Sequence, residues 1–512
     1  TAFREARLAG QVEPTASVCA DAAESLVDFW TDAGRLLRPL INLSRLPPLL
    51  AAMEADLPTL RADAEALLTT GATAADASLD AARTRFDSLR RRLLAGGAVE
   101  YLDVSELDTC RLAFSIKEAG PDTTHIELCP SAILGLVASS VPFCNHNQSP
   151  RNTYQCAMGK QALGVPALSA PLRTDNVWLQ LAHPQRPLVD SPALRLAGFH
   201  RLPAGHNATL AVLALSGYDV EDAVVLNQAS VQRGLGRVVV TKKFLVELDD
   251  EGKGEALMPA PGCPDGLASP GQQLRRDTPL AMKVARVETP VGGDRQEQAR
   301  GANNTDPTTV VRPLRYPGSS GVVRDVFLSH SAEKSLVAKL MVSQVRVPEV
   351  GDKFSSRHGQ KGVVGLILPQ RDMPFSESGI VPDIVMNPHG FPSRMTVGKL
   401  LELLTGKAAA LDGRIASAPA FEDKKPCVCG APATALSGGC ACRSPAAAAG
   451  AALRAHGFDY FGSEVFYSGT TGEPLRGLVF TGPVFYQRLK HMVADKIHAR
   501  AAGRKTFLTR QP

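Results

Sequence analysis

Short runs of β-branched and aliphatic residues, each closed off by Gly, Pro, Asn or Asp, fill residues 97–250 and return after residue 320. Apolar runs of four to eight residues between such breakers are strand-length, not helix-length, so sheet must dominate these stretches. Leu210 to Leu215 and Arg237-Val238-Val239-Val240-Thr241 read as buried strands, as do Gly321-Val322-Val323 and Leu336 to Val347. Residues 49–95 differ. They are rich in Ala and Leu with scattered Arg, Asp and Glu, and read as amphipathic helix interrupted from Thr69 to Thr73 around Gly71. Residues 251–310 are Gly/Pro-rich and polar, which predicts a loop-bearing excursion from the main body. The Ala/Gly/Ser/Cys-rich tract within 413–456 predicts an inserted, partly disordered loop, and the text from Phe485 onward reads as a basic, helix-like segment. A length of 512 residues predicts about three domains.

The formal net charge is +5, with charged residues at 21%. That excludes a histone-like tail protein but permits a locally basic nucleic-acid groove. Aromatic residues make up only 5%, so base stacking is not expected to dominate and phosphate contact is favoured. No run approaches the roughly 18 apolar residues of a membrane span, so no membrane partner is expected. Six cysteines (Cys19, Cys110, Cys129, Cys144, Cys156 and Cys263) stand alone, which fits a reducing intracellular compartment better than a disulfide framework. The opening Thr1-Ala2-Phe3-Arg4-Glu5 has neither an initiator Met nor a basic-then-apolar leader, and reads as a chain entered midway.

Six constellations could carry chemistry. In Gly351-Asp352-Lys353-Phe354-Ser355-Ser356-Arg357-His358-Gly359-Gln360-Lys361-Gly362, glycines bracket two lysines, an arginine and a histidine. Fully extended, Lys353 and Lys361 would lie about 26 Å apart. Turns at Gly359 and Gly362 could fold both ammonium groups toward one anion, and a solvated surface turn is the alternative. No G-x-x-x-x-G-K-[ST] loop occurs. In Pro388 to Leu400, Ser393 is a candidate N-cap for a helix carrying Val397, Leu400, Leu401 and Leu404. Arg394 would then stand at a helix start, facing a phosphate or pairing with a carboxylate.

Gly217 to Asn227 places Asp219, Glu221 and Asp222 directly before an apolar run. Glu221 and Asp222 could touch a hydrated Mg²⁺, or the turn could simply cap the segment that follows. Asn145 to Gln155 is dense in hydrogen-bonding groups; Arg151 could meet a triphosphate and Tyr154 a base. Lys490, His491, Lys496 and Arg500 line a C-terminal stretch whose basic face suits a duplex backbone or plain solvent. Cys427-Val428-Cys429 and Cys440-Ala441-Cys442 could close a Zn²⁺ site, although structural zinc pairs usually space as C-x₂₋₄-C, and free thiols are the alternative.

In order and wording these blocks resemble the second-largest, β-like subunit of multisubunit DNA-dependent RNA polymerases. The matching words are Thr31 to Arg35, Asn145 to Gly164, Gly217 to Asn227, Gly351 to Gly362, Val381 through Lys399, Lys490 to Arg500 and Thr509 to Pro512. Asn387 to Arg394, with Leu403 to Ala408 and Leu411 to Arg414, is similar to the eukaryotic class III wording, where class II and archaeal forms carry Ala-Ile in place of Gly390-Phe391. The resemblance implies a mixed α/β (α+β), multidomain chain with a double-psi β-barrel hybrid-binding body and flap (wall) and external domains. The implied divisions are an external region at 1–130 with a helical insert at about 49–95, a hybrid-binding part at 131–237, a wall region at 238–346, and a second hybrid-binding part at 347–512 with an insert at about 413–456. Lys353 and Lys361 would contact the RNA 3′ end, and Arg151 and Arg394 the phosphates of the incoming nucleoside triphosphate, with Tyr154 close by. Lys490, His491, Lys496 and Arg500 would contact nucleic acid, and Glu221 and Asp222 would lie near a second Mg²⁺ that travels with the nucleotide.

The implied partners are the largest subunit, other polymerase subunits, DNA template, RNA transcript and nucleotides, in the nucleus. No D-x-D-G-D word, the family's main Mg²⁺ holder in the largest subunit, occurs here, so inactivity alone is expected. The resemblance also predicts a fragment, without the family's N-terminal half and C-terminal clamp. Ala502 and Arg504 stand where the family usually has Arg and Pro, and the cysteine tract matches no family word. Class I or II membership, or a non-catalytic nucleic-acid-binding paralogue, are the competing readings.

Overall fold

The computed structural model describes residues 2–21, 25–31, 34–48, 56, 58–60, 62, 77–114, 116–248, 255–286, 309–330, 336–421 and 444–511. Helix and strand mix throughout, and sheet dominates the part that matters for function. Its centre is a ring of six strands: β1 (His206–Val212), β2 (Ala223–Asn227), β3 (Lys353–Ser356), β4 (Lys361–Leu368), β5 (Ile384–Met386) and β6 (Pro474–Arg488). They run in the order β3-β4-β2-β5-β1-β6, and β6 pairs back onto β3 to close the ring. Two pairs, β2 with β4 and β5 with β1, are parallel; the other four are antiparallel.

The apolar text of β2 follows from this placement. Val224 and Leu226 face the barrel core with Leu210, Phe354, Val364, Ile384 and Val484. Val225 faces a second cluster with Ala211, Val385 and Phe466 on the other side. A strand covered on both faces reads as a continuous hydrophobic run. Each such fully buried Leu, Ile, Val or Phe contributes about 1.5–3 kcal/mol. β6 is long enough to serve twice: its first half pairs with Ser463–Tyr467, and its second half with β1 and β3.

Among the described residues, the helices flanking the barrel include α1 (Ser149–Gly159), α2 (Val397–Asp412) and α3 (Pro445–Ala455). α2 sends Leu403 into the barrel core and packs Leu404 and Ala408 against Ala449 and Leu453 of α3. α3 corrects the loop expectation for part of 413–456. Ser444 caps it by accepting the Ala447 N–H at 3.1 Å, with Pro445 at the first helical position. Cys427, Cys429, Cys440 and Cys442 lie outside the described residues.

A five-stranded antiparallel sheet adjoins the barrel, in the order Gln273–Arg275, Ser320–His330, Leu336–Arg346, Val238–Glu247, Val177–Leu181. The described parts of 251–310 carry strands between their loops: Pro279–Arg286 pairs with Thr309–Arg315 and Ala256–Leu257, over a core of Leu274, Leu280, Tyr316 and Leu340. Toward the N-terminus, helix Ala77–Ala95 leads into a four-stranded sheet containing Val99–Leu102, Arg38–Asn42, His125–Glu127 and Leu112–Ala113. Among the described residues no helix is long and apolar enough to cross a membrane, and the six solitary cysteines are free.

Candidate functional site

The β3–β4 hairpin resolves the separation between the two lysines. Lys353 stands opposite Val363, and Lys361 opposite Ser355. Lys353 and Lys361 are therefore diagonal neighbours on one face, a spacing of about 7–8 Å in an antiparallel pair. Phe354 and Val364 alternate with that face and fill the barrel, which leaves Lys361 exposed and Lys353 half-buried.

The C-terminal stretch docks on the same edge. The Leu489 N–H donates to the Lys353 carbonyl at 2.9 Å, and the Lys490 N–H to the Gln161 carbonyl at 3.1 Å. Asp352 is the clamp: its carboxylate accepts from the Arg488 guanidinium at 2.5 Å and from the Val493 N–H at 2.9 Å. These bonds replace the helix expected from Phe485 onward. Phe485 to Arg488 finish β6, and beyond them the helical structure is one short turn at Val493–Asp495. His491 reports the crowding. Desolvation lowers its basicity, and the charges of Lys496, Lys353, Lys490 and Lys361 lower it further. The Lys353 N–H also donates to the His491 carbonyl at 3.4 Å, which sets this segment beside the hairpin. Arg500 is not tied into it; its guanidinium folds onto the Arg504 carbonyl in an exposed loop.

Arg394 and Asp222 form an ion pair, with side chains 18% and 44% exposed. The acidic turn reaches this position because β4 lets it in. Gly362 lies against the Asp222 carbonyl, where an added Cβ would sit only 2.2 Å away. The Val363 N–H then donates to that carbonyl at 3.2 Å. Glu221 is exposed, with its backbone at a φ of 59°. Arg394 does not begin a helix. α2 starts at Val397 after Thr396, and Ser393 caps nothing there, because Met395 takes a φ of 50° that no right-handed helix accommodates. Arg394 instead sits in the tight turn that precedes α2, its N–H on the Phe391 carbonyl at 3.2 Å.

Arg151 lies in the first turn of α1, beside the loop between β3 and β4. Its Nη1 donates to the Gly359 carbonyl at 3.4 Å, and its guanidinium carbon stands 5.3 Å from the Tyr154 ring centroid. Tyr154 is 51% exposed. The start of α1 also touches the Arg394 turn, through the Gln148 N–H and the Met395 carbonyl at 3.4 Å.

Behind this basic surface lies a buried polar network that sequence reasoning did not single out. Arg357 and His358 point inward, not toward a ligand. Both bond the Glu402 carboxylate of α2, at 2.6 and 2.5 Å, and the Phe485 N–H adds a third donor at 3.1 Å. Burial alone would raise the Glu402 carboxyl, but the charge of Arg357 and the hydrogen bond of His358 hold it at about 2. Burial is the largest influence on His358 and lowers its basicity, against the opposing pull of Glu402. Lys399, pulled down to about 7 by burial, donates to Gln360 Oε1 at 2.8 Å and to the Tyr486 hydroxyl at 3.2 Å. The signal was present in the sequence, since Lys399 and Glu402 stand three apart inside the apolar text of one helix.

The model for RNA polymerase Rpb2, domain 6, matches residues 137–512. The chain belongs to the Rpb2 domain 6 family. It is 39% identical over 527 residues to the DNA-directed RNA polymerase III subunit RPC2 of Drosophila melanogaster, covering all of this chain and 42% of the fly protein. It is 37% identical over 530 residues to the RNA polymerase subunit Rpo2 of Saccharolobus shibatae, covering all of this chain and 42% of that protein. To the RNA polymerase II subunit RPB2 of Schizosaccharomyces pombe it is 35% identical over 559 residues, covering all of this chain and 43% of that protein. The chain thus spans about two fifths of the length of these curated relatives.

Within this Rpb2 domain 6 chain, the described residues contain no group of three or more His, Cys, Asp or Glu side chains placed to hold a metal. Glu221 and Asp222 fit a different kind of ion. Two adjacent, exposed carboxylates suit a hydrated Mg²⁺ that takes its remaining ligands from water and phosphate oxygens.

Proposed function

We propose that this chain is part of the second-largest subunit of a class III DNA-dependent RNA polymerase, the nuclear enzyme that makes small untranslated RNAs. Its role there is to form the active-site cleft with the largest subunit, which supplies the main Mg²⁺, so this chain is inactive alone. The observation that carries the reading is the placement of Lys353 and Lys361 on one hairpin face, with Lys490 and His491 docked alongside through the Lys353 N–H to the His491 carbonyl at 3.4 Å, next to the Arg394–Asp222 pair and Arg151. Phosphoryl transfer asks mostly for positioning and charge neutralisation, and this surface supplies both. The class rests on the Asn387 to Arg394 wording and on the higher identity to the fly class III subunit than to the class II one.

In this reading Lys353 and Lys361 hold the RNA 3′ end, while Lys490, His491, Lys496 and Arg500 follow the backbone of the RNA–DNA hybrid. Arg394 and Arg151 fork onto the triphosphate, where a guanidinium can bond phosphate oxygens in pairs. Tyr154 lies beside Arg151 for the base. Glu221 and Asp222 would hold the Mg²⁺ that arrives with the nucleotide, which supplies charge compensation on its phosphates. Until then, Asp222 keeps Arg394 extended toward the site. The ring closure and two parallel pairs support a double-psi barrel, with hybrid-binding parts at 131–237 and 347–512. The five-stranded sheet supports a wall at 238–346, and the N-terminal sheet an external region at 1–130.

Assembled polymerase carrying Arg394→Ala tests the proposal through its elongation rate at saturating and at limiting nucleotide. Slower elongation, most marked at limiting nucleotide, is expected. No change in either condition would overturn the proposal.

A further inference from the structure

Two arginines from segments more than two hundred residues apart approach the same surface, and one side chain bonds into the elements that carry both. Asn147 lies two residues before the start of α1, whose first turn carries Arg151. Its Oδ1 accepts the Gly398 N–H at 2.9 Å, at the start of α2 and just past the Arg394 turn. The approach is close because residue 398 has no side chain; an added Cβ would lie 2.7 Å from that oxygen. Asn147 also bridges to Thr396 in the backbone.

The other end of the Asn147 amide is held from below. With Oδ1 fixed on Gly398, Nδ2 donates to His358 Nδ1 at 3.0 Å. His358 can accept there only if its proton sits on Nε2, and Glu402 sets that tautomer. An ionised carboxylate accepts but cannot donate, so the Nε2···Oε2 contact of 2.5 Å places the proton on Nε2. Glu402 is in turn fixed by Arg357 and by the Phe485 N–H of β6. A single polar path therefore runs from β6 and α2, through the loop between β3 and β4, to the entrance of α1. His358 and Glu402 are fully buried, whereas Asn147 is half-buried.

We propose that Asn147, oriented by His358 and Glu402, is a positioning residue that sets the spacing between Arg151 and Arg394 for one bound triphosphate. The inference rests on the polymerase reading above. None of the three residues needs to touch the nucleotide. Their effect is geometric, because a binding constellation must be held within about 0.5 Å, and misplacement by about 1 Å can cost on the order of a hundredfold.

The test uses assembled polymerase and measures KM for nucleotide and kcat separately, in Asn147→Ala, His358→Gln, the double variant and Arg394→Ala. In His358→Gln the new amide N–H can still donate to Glu402, but its carbonyl oxygen lies one bond further from the backbone than Nδ1 and leaves no acceptor where the Asn147 amide points. Each single variant is expected to raise KM about tenfold with a smaller change in kcat, and the double variant to be no worse than either, since both cut one path. Lower active fraction with unchanged KM, or fully additive effects, would overturn the relay. Should His358→Gln fail to assemble, Asn147→Ala alone decides, because its side chain is partly exposed. Arg394→Ala separates the two levels: if it raises KM and Asn147→Ala does not, the relay fails alone. If neither moves KM, the polymerase reading fails with it.

Discussion

Gly359→Ala should damage nucleotide addition through Arg151, although the glycine itself has no side chain to lose. Gly359 has a φ of +69°, and an added Cβ would stand 2.3 Å from the Arg151 carbonyl oxygen and 2.9 Å from its Cα. Ordinary contact begins near 3.4 Å, so the first turn of α1 must retreat by about 1 Å or the loop must move by as much. The left-handed backbone adds about 1–2 kcal/mol for a residue with a Cβ. Part of that strain is relieved by local shifts, and those shifts displace Arg151 from the triphosphate. A displacement of this size predicts a fall in kcat/KM of roughly thirty- to a hundredfold. The assay is single-nucleotide addition by assembled polymerase on a defined template, with assembly checked by co-purification of the largest subunit. Intact assembly with kcat/KM within about twofold of wild type would refute the reasoning, since the collision would then have no consequence at the site.

Two further outcomes follow from the buried charges. Glu402 is held at about 2 against an ordinary 4.5; a carboxyl depressed on folding gives stability that is present above about pH 4.5 and lost as pH falls toward 2, here about 3 kcal/mol. The unfolding free-energy difference between wild type and Glu402→Gln, from denaturant titrations, should therefore shrink across that window, and a difference independent of pH would contradict it. Arg488→Met removes the partner of Asp352, which is 2% exposed, and leaves that carboxylate buried with backbone donors alone. A loss of about 3–5 kcal/mol is expected, read as faster hydrogen exchange at 489–496, and unchanged exchange would show that the clamp does not hold this segment.

The strands were legible where burial on both faces writes an unbroken apolar run, as in β2, or where turn residues frame one, as at Leu336 to Val347. The barrel itself was not. Its closure depends on β6 meeting β3 across more than a hundred residues, and local text carries no trace of that register. The helix start at Arg394 was misplaced because Ser393 and the apolar spacing satisfy every local rule; only the left-handed Met395 shows that the chain turns first. The basic text after Phe485 suggested a helix, yet Arg488 is spent inside on Asp352 and Gly236. In the Gly351 to Gly362 loop, charge alone could not separate Lys353 and Lys361, which face outward, from Arg357 and His358, which face Glu402. Of the two candidate roles of Arg394, the carboxylate pairing is the one seen, with Asp222, and a carboxylate partner at rest does not bar a phosphate later.

The convergence of lysines is tested most directly by chemistry at the RNA 3′ end. A transcript oxidised to a 3′-terminal dialdehyde, held in the assembled elongation complex and reduced with borohydride, will fix itself to whichever lysine amines lie beside it. The predicted result is label on peptides carrying Lys353 or Lys361, lost for each lysine when it is replaced by Arg. Label confined to lysines elsewhere in this subunit, with 353 and 361 untouched, would contradict the account.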